Sequence, residues 1–560
     1  MQAFLSCVNA FFDLISFGLF IPFIASLGQR DQSKISLAPV INIEVSALPF
    51  MLTLVAGFLV KNIIGGWINY RQSLFIHKTF VETSQQLFKS FYEQSFEDYC
   101  RQNSAESIRR IKQAPSDFTN HVLLPLLALV TDTIVTICVV AFLFWYDYKV
   151  VFALAVVLFP ILLTYYLFKT KIVSRIKRNF QEEIPKSNII ISQGIDAFAE
   201  AKIYRKEDFF MKRFSDINSQ TSRHLADLRT AAFIPQRILE IVAVFSLGLI
   251  FTLSHFTGNQ SGIVLTGIVL LAFYKLGPAL NRILINATEV AAFAYTIDLI
   301  KRPFGKGQEK HTHPTSEFKF SETICADKIS FNYKDTDTMI LNQFSFIINK
   351  GDFVIVEGPS GAGKSTLLNI LSGLLTIRSG KIQIDGVLLS AENIQQWQSK
   401  IAFVPQSGVV IDDTILANVA FGEDPDKIDV ARVNEVVGLV GLLDFVGQLS
   451  GTIHHQIGEN GLTISGGQRQ RLLLARALYR NPQVLIVDEV TNQLDYDNKI
   501  KLLEAIRSLT LRGLTVIFAT HDTLVKTFAD KTISVGSANK EFPEKDILMA
   551  SIDHNDVSVR

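Results

Sequence analysis

The stretch Gly358-Pro359-Ser360-Gly361-Ala362-Gly363-Lys364-Ser365 carries the pattern G-x-x-x-x-G-K-[ST]. It follows an apolar run at residues 353–356 and precedes a helix-like stretch at residues 366–375, as a phosphate-binding loop does. Its glycines let backbone N–H groups turn toward phosphates, Lys364 supplies a positive charge to the β and γ oxygens, and the Ser365 hydroxyl can bind Mg²⁺. The stretch therefore predicts a nucleoside triphosphate site in an α/β domain.

A second apolar run, residues 484–487, ends in Asp488 and Glu489. Such a run is typical of a buried parallel strand, and open α/β sheets bind ligands at the carboxyl ends of their strands. Asp488 is thus placed to hold Mg²⁺, and Glu489 to polarise a water molecule. Between the two runs lies Ser465-Gly466-Gly467-Gln468 at a predicted helix start, where backbone N–H groups bind anions. One chain thus carries two phosphate-binding elements.

This ordered set of motifs resembles the nucleotide-binding domain, or cassette, of ATP-binding-cassette transporters from about Thr323 to the end of the chain. The resemblance implies that Tyr333 stacks on adenine; the alternative is a strand aromatic that faces the core. It further implies that Gln406 contacts Mg²⁺ and the attacking water, and that His521 holds the γ-phosphate. Glu489 is the expected general base, because attack on the γ-phosphate needs an oriented water.

Position by position, the resemblance assigns three kinds of residue. The catalytic residues are Glu489, His521 and Gln406, and the ligands of Mg²⁺ are Ser365, Gln406 and Asp488. The residues that bind ATP are Tyr333, Gly358, Ser360, Gly361, Ala362, Gly363, Lys364, Ser365, Thr366, Ser465, Gly466, Gly467, Gln468 and Asp495.

In this family two cassettes face each other head to tail, so each ATP lies between the phosphate loop of one and the Ser-Gly-Gly-Gln signature of the other. Because the sequence contains one cassette, we expect a homodimer with two composite sites; a heterodimer with a second half-transporter is the alternative. Ile464 and Val490 depart modestly from the family pattern, and Asn492-Gln493 replaces a small Ser-Ala pair at the expected interface. Asp495 is retained, so we expect the interface to close.

The first half of the chain is much more apolar than the second. Among 560 residues, 48% are hydrophobic and 43 are phenylalanines, and the excess lies before about residue 299, above the usual globular average. Six stretches approach the ~20 residues that a bilayer requires: 4–27, 46–67, 121–145, 150–168, 233–256 and 263–284. Helices of a soluble core are the alternative for any single stretch. Six together predict an all-α transmembrane domain of six helices. The resemblance implies that an α/β P-loop ATPase domain with a helical signature subdomain follows it.

Basic residues predict the orientation. They are concentrated before the third span and after the fourth, at Arg101, Arg109, Arg110, Lys112, Lys169, Lys171, Arg175, Lys177 and Arg178. Under the positive-inside rule both long polar segments lie in the cytoplasm, and so does the cassette, on the inner membrane. The predicted domains are residues 1–302 in the membrane, a linker at 303–322, and the cassette at 323–560. His311 and His313 could indicate a metal, but a solvated tether fits the linker better.

Exporters with six spans and one cassette resemble the chain over nearly its whole length. The resemblance implies two coupling helices, near residues 103–111 and 196–206, that dock on the cassettes beside Gln406.

The four cysteines are not spaced as metal ligands or as disulfide pairs; they are Cys7, Cys100, Cys138 and Cys325. The net charge of +1 gives no indication of nucleic-acid binding.

Charged residues within the spans give an indication of the substrate. Placing a charge in the bilayer costs free energy, so such residues normally face a cavity or a partner. Lys275 and Arg282 are two helical turns apart on one face, and Lys61 lies in the second span. Arg237 and Glu240 are three apart and can neutralise each other. Alternatively, Lys61 extends to the headgroups and Arg282 lies in a cytoplasmic extension. If Lys61, Arg237, Lys275 and Arg282 line the pathway, two protomers form a basic belt for an anionic group.

The membrane half is similar to flippases of lipid-pyrophosphate-linked oligosaccharides around residues 263–282, although Gln236 stands where a basic residue is expected. We therefore expect an ATP-driven exporter or flippase of such an anionic amphiphile. An exporter of peptides, glycolipids or hydrophobic drugs is the main alternative. An ATP-gated receptor or channel is less compatible with Glu489, which indicates ATP turnover. A soluble repair-type ATPase is less compatible with six spans.

Overall fold

The computed structural model describes residues 8, 34–36, 44–146, 148, 151–152, 186–257, 261–305, 319–334, 336–458, 461, 463–491 and 495–536. It consists of two compact units. The first unit comprises Met1–Gln94 and Arg101–Lys306, and the second comprises Ser95–Cys100 and Gly307–Arg560. The short segment Ser95–Cys100 thus belongs with the cassette, although more than 200 residues separate it from the cassette in sequence. It lies just before the stretch near 103–111 that was expected to dock.

The first unit is built from long helices. From the amino terminus to residue 301 the elements are β1 (Lys34–Ser36), β2 (Glu44–Ser46), α1 (Ala47–Tyr92), α2 (Phe96–Cys100, in the second unit), α3 (Ser104–Ile108), α4 (Ala114–Phe118), α5 (Leu124–Tyr146), α6 (Phe198–Ile203), α7 (Glu207–Thr257), α8 (Ser261–Phe293) and α9 (Tyr295–Lys301). Strands β1 and β2 form an antiparallel hairpin.

Two π-helical turns interrupt the helix that runs from α3 to α5. They span Arg109–Gln113 and Thr119–Leu123 and lie on either side of α4. Each π turn closes hydrogen bonds over five residues in place of four, so it accommodates one extra residue and rotates the faces that follow. Pro115 lies at the start of α4, directly after the first π turn, where its missing N–H removes one backbone donor from the continuous helix.

Two of the described helices are long and apolar enough to cross a membrane: Met51–Tyr92 and Ser104–Trp145, each of 42 residues. A third candidate is the pair Leu276–Phe293 and Tyr295–Lys301, bent by 41°. These contain or overlap the second, third and sixth predicted spans, and the fifth lies in α7. Apart from residues 8, 151 and 152, the first and fourth predicted spans fall outside the described residues.

Large apolar side chains on α1 point outward, as a lipid-facing helix requires. Leu59, Ile63 and Trp67 are each more than half exposed. Inside the unit, α5 and α8 pack together, and the ring of His121 stacks on Phe293 with centroids 4.2 Å apart. Val122 lies in the same cluster and is buried. Apolar side chains of this unit therefore lie both on its outer surface and in the contacts between its helices.

The second unit contains two sheets. Its elements after residue 305 are β3 (Thr323–Phe331), β4 (Leu341–Asn349), β5 (Phe353–Glu357), α10 (Lys364–Leu371), β6 (Ser379–Ile384), β7 (Val387–Leu388), α11 (Ile394–Lys400), β8 (Ile401–Val404), α12 (Ile415–Val419), α13 (Val430–Leu439), α14 (Leu443–Gln448), α15 (Gly466–Tyr479), β9 (Val484–Asp488), α16 (Tyr496–Thr510), β10 (Thr515–Ala519), α17 (Thr523–Lys526) and β11 (Lys531–Ser534). This α/β architecture, preceded by membrane-type helices, confirms the predicted fold class.

The larger sheet is parallel, in the order β11-β5-β10-β9-β8, and the smaller is antiparallel, in the order β4-β3-β6-β7. Strands β5, β9 and β10 consist almost entirely of fully buried apolar residues, because helices and the second sheet cover both faces. In β10, Ala519 pairs with Val356 on one side and Asp488 on the other. The carboxyl ends of β5, β9 and β10 therefore meet at one edge of the sheet.

We predict that Gly380→Ala destabilises the small sheet much more than Gly386→Ala. Both glycines have positive φ, but a Cβ at Gly380 would lie 2.5 Å from the Lys328 carbonyl oxygen and 2.6 Å from Ile329 Cα, whereas a Cβ at Gly386 meets nothing within 4 Å. Gly386→Ala should cost only about 1 kcal/mol of backbone strain, and Gly380→Ala an additional ~1–3 kcal/mol of overpacking. Thermal unfolding of the two variants tests this difference; equal melting temperatures would contradict it.

Candidate nucleotide-binding and catalytic site

The phosphate loop connects the end of β5 to the start of α10. Gly358 and Gly363 have φ values of +154° and +101°, a region that side chains with a Cβ rarely adopt. A Cβ at Gly358 would lie 2.4 Å from the Val535 carbonyl oxygen, and one at Gly363 would lie 2.6 Å from Ile340. Two of the predicted glycines are therefore required by positive φ and by close neighbours, which are the backbone of Val535 at Gly358 and the side chain of Ile340 at Gly363.

Lys364 is buried at the first position of α10. Its Nζ donates hydrogen bonds to the carbonyl oxygens of Gly358 at 3.0 Å and Pro359 at 3.2 Å. It also lies 2.8 Å from Nε2 of His521. These contacts bring together a loop lysine and a histidine 157 residues away, as expected if both bind the terminal phosphate.

Asp488 and Glu489 lie at the carboxyl end of β9, beside the loop. Burial raises the pKa of Asp488, while a hydrogen bond from Ser365 and the charge of Lys364 act in the opposite direction. The Ser365 hydroxyl and the Asp488 carboxylate are therefore adjacent. Oxygen donors of this kind are the ligands that Mg²⁺ prefers, completed by phosphate oxygens and water. The donor set thus fits Mg²⁺, because the protein need supply only a few ligands.

Glu489 forms a second polar contact set. Its Oε2 accepts a hydrogen bond from Gln406 Nε2 at 3.1 Å, and its Oε1 lies 3.4 Å from His521 Nε2. The residue has a φ of +53°, which is unusual for a side chain with a Cβ and typical of functional positions. Its backbone N–H donates to the Ala519 carbonyl oxygen at 3.0 Å. The three predicted catalytic residues therefore lie in direct contact.

The signature residues lie at the start of α15. The Ser465 hydroxyl accepts from the Gln468 N–H at 3.2 Å, and the Gln468 side chain accepts from the Ser465 N–H at 2.8 Å. This reciprocal pair is a capping box, which orients the helix start, while Ser465 and Gly466 remain exposed. In the described part of the chain, no hydrogen bond joins the signature to the phosphate loop. The signature therefore presents an exposed helix start, with its first residues ordered by the capping box.

Two other predicted positions have local roles. The Tyr333 hydroxyl lies 3.4 Å from Thr366 Oγ1, and its ring packs edge-on against Phe331 with centroids 5.1 Å apart. Tyr333 is half-buried, so one part of its ring remains accessible. Asp495 caps α16, where hydrogen bonds from Asn498 lower its pKa. Asn492 and Gln493 lie outside the described residues.

The predicted basic residues of the spans have partners. Arg282 donates to both carboxylate oxygens of Asp132, at 2.7–3.0 Å, and Asp132 is buried. Arg237 pairs with Glu240 at 3.1 Å, as the alternative interpretation predicted. The ammonium of Lys61 lies 5.5 Å from the Phe58 ring centroid. The side chain of Lys275 lies outside the described residues.

Sequence reasoning missed two sets of residues. Asp132, the partner of Arg282, is 150 positions away and lies in a span that reads as uniformly apolar. Glu97 and Arg378, 281 positions apart, pair beside Tyr333. No local motif marks either set, and only an acidic residue inside an apolar span could have drawn attention to Asp132.

Comparison with known proteins agrees with this geometry. Residues 341–492 match the ABC transporter family. The structure of a bacterial Atm1-family ABC exporter with ATP bound has the same fold, with a TM-score of 0.77 at 19% identity, covering 98% of this chain and 95% of that one. Residues 341–492 are therefore an ABC transporter domain, and the chain as a whole has the fold of that exporter.

The proteins with similar sequences have names that state a more specific activity. An ATP-dependent lipid A-core flippase of Cupriavidus metallidurans is 29% identical over 406 residues, covering 70% of this chain and 67% of that protein. A second, from Ralstonia nicotianae, is 25% identical over 523 residues, covering 90% of this chain and 86% of that protein. The expected resemblance to ATP-binding-cassette exporters is thus confirmed, and flippase is the name that these relatives carry.

We predict that Glu489→Gln lowers the ATPase kcat at least about 100-fold, because positioned general bases contribute 10²–10⁴-fold. ATP binding should persist, so the variant should accumulate as an ATP-bound closed dimer, detectable by size and by retained nucleotide. Glu504→Gln is the matched control, since Glu504 is an exposed acid on α16. Near-normal hydrolysis in Glu489→Gln would remove Glu489 from this role.

Proposed function

We propose that the chain is an ATP-driven flippase that works as a homodimer and moves an anionic glycolipid outward across the inner membrane. The observation that carries the ATPase part is the contact of Lys364, His521, Glu489 and Gln406 around one sheet edge. Such a set suits nucleotide turnover better than simple nucleotide binding, since it includes an acid positioned to accept a proton from water.

The chain's residues divide the work of hydrolysis. Lys364 and the loop N–H groups bind the phosphates, and His521 reaches the terminal one. Glu489 orients and deprotonates the attacking water, and Gln406 holds the Glu489 carboxylate in place. Ser365, Asp488 and Gln406 are the proposed ligands of Mg²⁺, which supplies charge neutralisation for the phosphates when bound.

The exposed signature supports a two-fold dimer with two composite sites. Ser465 and its helix start have no hydrogen bond to their own phosphate loop among the described residues, yet an exposed helix N-terminus favours an anion. A second copy, placed head to tail, would supply its phosphate loop to this element. In this arrangement each ATP contacts both protomers, so ATP closes the dimer and hydrolysis reopens it.

The names of the relatives support a phosphorylated saccharide lipid as substrate. A lipid A-core molecule and a lipid-linked pyrophosphate oligosaccharide share this chemistry: acyl or prenyl chains, a phosphate group and sugars. We retain the pyrophosphate lipid as the finer proposal. Because Arg282 and Arg237 are already paired with acids, the basic belt is weaker than expected from sequence. This pairing favours the alternative of a hydrophobic substrate that binds through apolar side chains.

Substrate class can be tested through ATPase stimulation in nanodiscs. We predict that a phosphorylated glycolipid stimulates the wild type more than an uncharged amphiphile does. Arg282→Ala should weaken the apparent affinity roughly tenfold, as loss of a hydrogen bond to a charged group implies. Asp132→Asn should preserve or strengthen it, because the guanidinium then has no competing carboxylate.

Arg213→Ala, an exposed arginine of α7, is the matched control. Comparison of a lipid A-core glycolipid with a polyprenyl-pyrophosphate oligosaccharide distinguishes the two proposed substrates. An equal response to charged and uncharged lipids, unchanged in Arg282→Ala, would support the hydrophobic-substrate exporter and contradict the flippase proposal.

A cavity beside Gln406 is the proposed docking site for a coupling helix. Its volume is about 640 Å³, and Pro405, Val409, Phe421 and Arg476 contribute to its walls. Arg476 donates to the carbonyl oxygens of Val409 and Asn418 at 2.8 Å and lies 4.5 Å from the Phe421 ring centroid. Burial lowers the pKa of Arg476 to about 10, so it remains charged at neutral pH and holds the walls in place.

The proposed occupant is α6 of a second copy. Phe198, Ile203 and Tyr204 are each more than 60% exposed, which is unusual for apolar side chains on a six-residue helix of a cytoplasmic segment. Exposed apolar patches of this kind mark interaction surfaces. Docking would transmit motion at Gln406 to the helices that cross the membrane.

We predict that cysteines at Phe198 and Phe421 form a disulfide between two copies under mild oxidation, visible as a dimer on a non-reducing gel. The control pairs Phe198→Cys with Leu443→Cys, because Leu443 is exposed on α14 and outside the cavity. A dimer of equal yield with the control, or only an intramolecular disulfide with Phe421→Cys, would contradict docking by a second copy.

A further inference from the structure

The backbone on both sides of Tyr333 is held by side chains. Arg378 Nε donates to the Asn332 carbonyl oxygen at 3.2 Å, immediately before Tyr333. Glu97 Oε1 accepts from the Lys334 N–H at 2.6 Å, immediately after it. Two hydrogen bonds, one residue away on each side, restrict the φ and ψ angles on which the direction of the Tyr333 ring depends.

The two side chains that hold this backbone also bind each other. Arg378 Nη2 lies 3.2 and 3.3 Å from the two oxygens of Glu97, and Lys334 Nζ lies 3.7 Å from Glu97. The Glu97 side chain is only 9% exposed, so its negative charge needs these partners. The Arg378 guanidinium also lies 5.6 Å from the Phe331 ring centroid, and Phe331 supports the Tyr333 ring.

Glu97 lies on a short segment that is held in place by hydrogen bonds and packing contacts of its neighbouring residues. Ser95 Oγ accepts from the Asp98 N–H at 3.1 Å and donates to the Asp98 carboxylate at 2.8 Å. Phe96 packs against the apolar cluster of the second unit that includes Phe331 and Leu367. The Glu97 carboxylate is therefore fixed in place before any nucleotide binds.

We propose that Glu97 is a positioning residue for the nucleotide base. By binding the Lys334 N–H and Arg378 together, it sets the Tyr333 ring in the orientation that stacks on adenine. This inference rests on the proposed function, in which Tyr333 stacks on the base. It assigns part of the base affinity to an acid that precedes the cassette by more than 200 residues.

The arrangement separates two contributions to nucleotide affinity. Lys364 and the glycine loop contact phosphates, and none of their described hydrogen bonds involves Glu97 or Arg378. The Tyr333 ring is the part of this arrangement that contributes to binding of the base. A change at Glu97 should therefore weaken ATP binding and leave binding of inorganic triphosphate unchanged. A general loss of folding would weaken both.

The test is calorimetric titration of the full-length protein in nanodiscs with AMP-PNP and with inorganic triphosphate. Glu97→Gln should raise the Kd for AMP-PNP roughly fivefold, a part of what aromatic stacking on one base contributes. The Kd for triphosphate should not change. In turnover assays the KM for ATP should rise while kcat at saturating ATP is retained. Glu93→Gln is the matched control, because Glu93 is exposed and forms an ion pair with Lys89 at 3.9 Å.

Arg378→Gln should reproduce the effect, and the double variant with Glu97→Gln should not add to it, because the pair acts as one unit. This second variant also serves if Glu97→Gln folds poorly. Equal weakening of AMP-PNP and triphosphate would reduce Glu97 to a structural role and overturn the proposal. An unchanged Kd for both ligands would overturn it as well.

Tyr333→Ala and Lys364→Ala distinguish failure of this inference from failure of the proposed function. If Tyr333→Ala weakens AMP-PNP binding and Glu97→Gln does not, only the positioning role of Glu97 is wrong. If Tyr333→Ala has no effect, the stacking role is wrong and the inference fails with it. If Lys364→Ala binds both ligands normally, the nucleotide site itself is wrongly assigned.

Discussion

Parallel pairing of three buried strands is the constraint on which the site depends. Because β5, β9 and β10 run in the same direction and pair in register, the residues that follow them emerge side by side. The phosphate loop, Glu489 and His521 are each the continuation of one of these strands. Their contacts at 2.8–3.4 Å are therefore a consequence of a sheet held by apolar burial, and a slip of any strand would separate them.

The parts of the fold that were predictable from sequence are those that short patterns determine. The glycines of the phosphate loop, the apolar run before Asp488 and the helix start at Ser465 each require only neighbours in sequence. The partners of Glu97 and Arg282 could not be predicted, because each pair joins elements that are distant in the chain. An isolated charge indicates that a partner is needed, but it does not identify which residue supplies it.

In the membrane half, too, sequence patterns predict the helices but not which distant residues form ion pairs. Apolar length predicted helices, and α1 and the run from α3 to α5 meet that expectation. The lining of a substrate path by the basic residues stays a prediction, and in the structure Arg282 and Arg237 form ion pairs with Asp132 and Glu240. A low dielectric constant strengthens the attraction between opposite charges. A charged residue in a membrane span therefore indicates an internal ion pair first, and a contact with substrate only second.

The two π turns between α3 and α5 have a consequence for how the chain relates to other sequences. Each turn holds one residue more than an α turn, so each amounts to a single-residue insertion that the helix absorbs without a break. Deleting one residue from Arg109–Gln113 or Thr119–Leu123 would restore an α turn and leave the residues beyond it facing the same way. Winding the undeleted sequence as an unbroken α-helix would instead turn those residues by about 100° for each π turn. Alignments that place no gap here would assign the wrong residues of α5 to the helix interface.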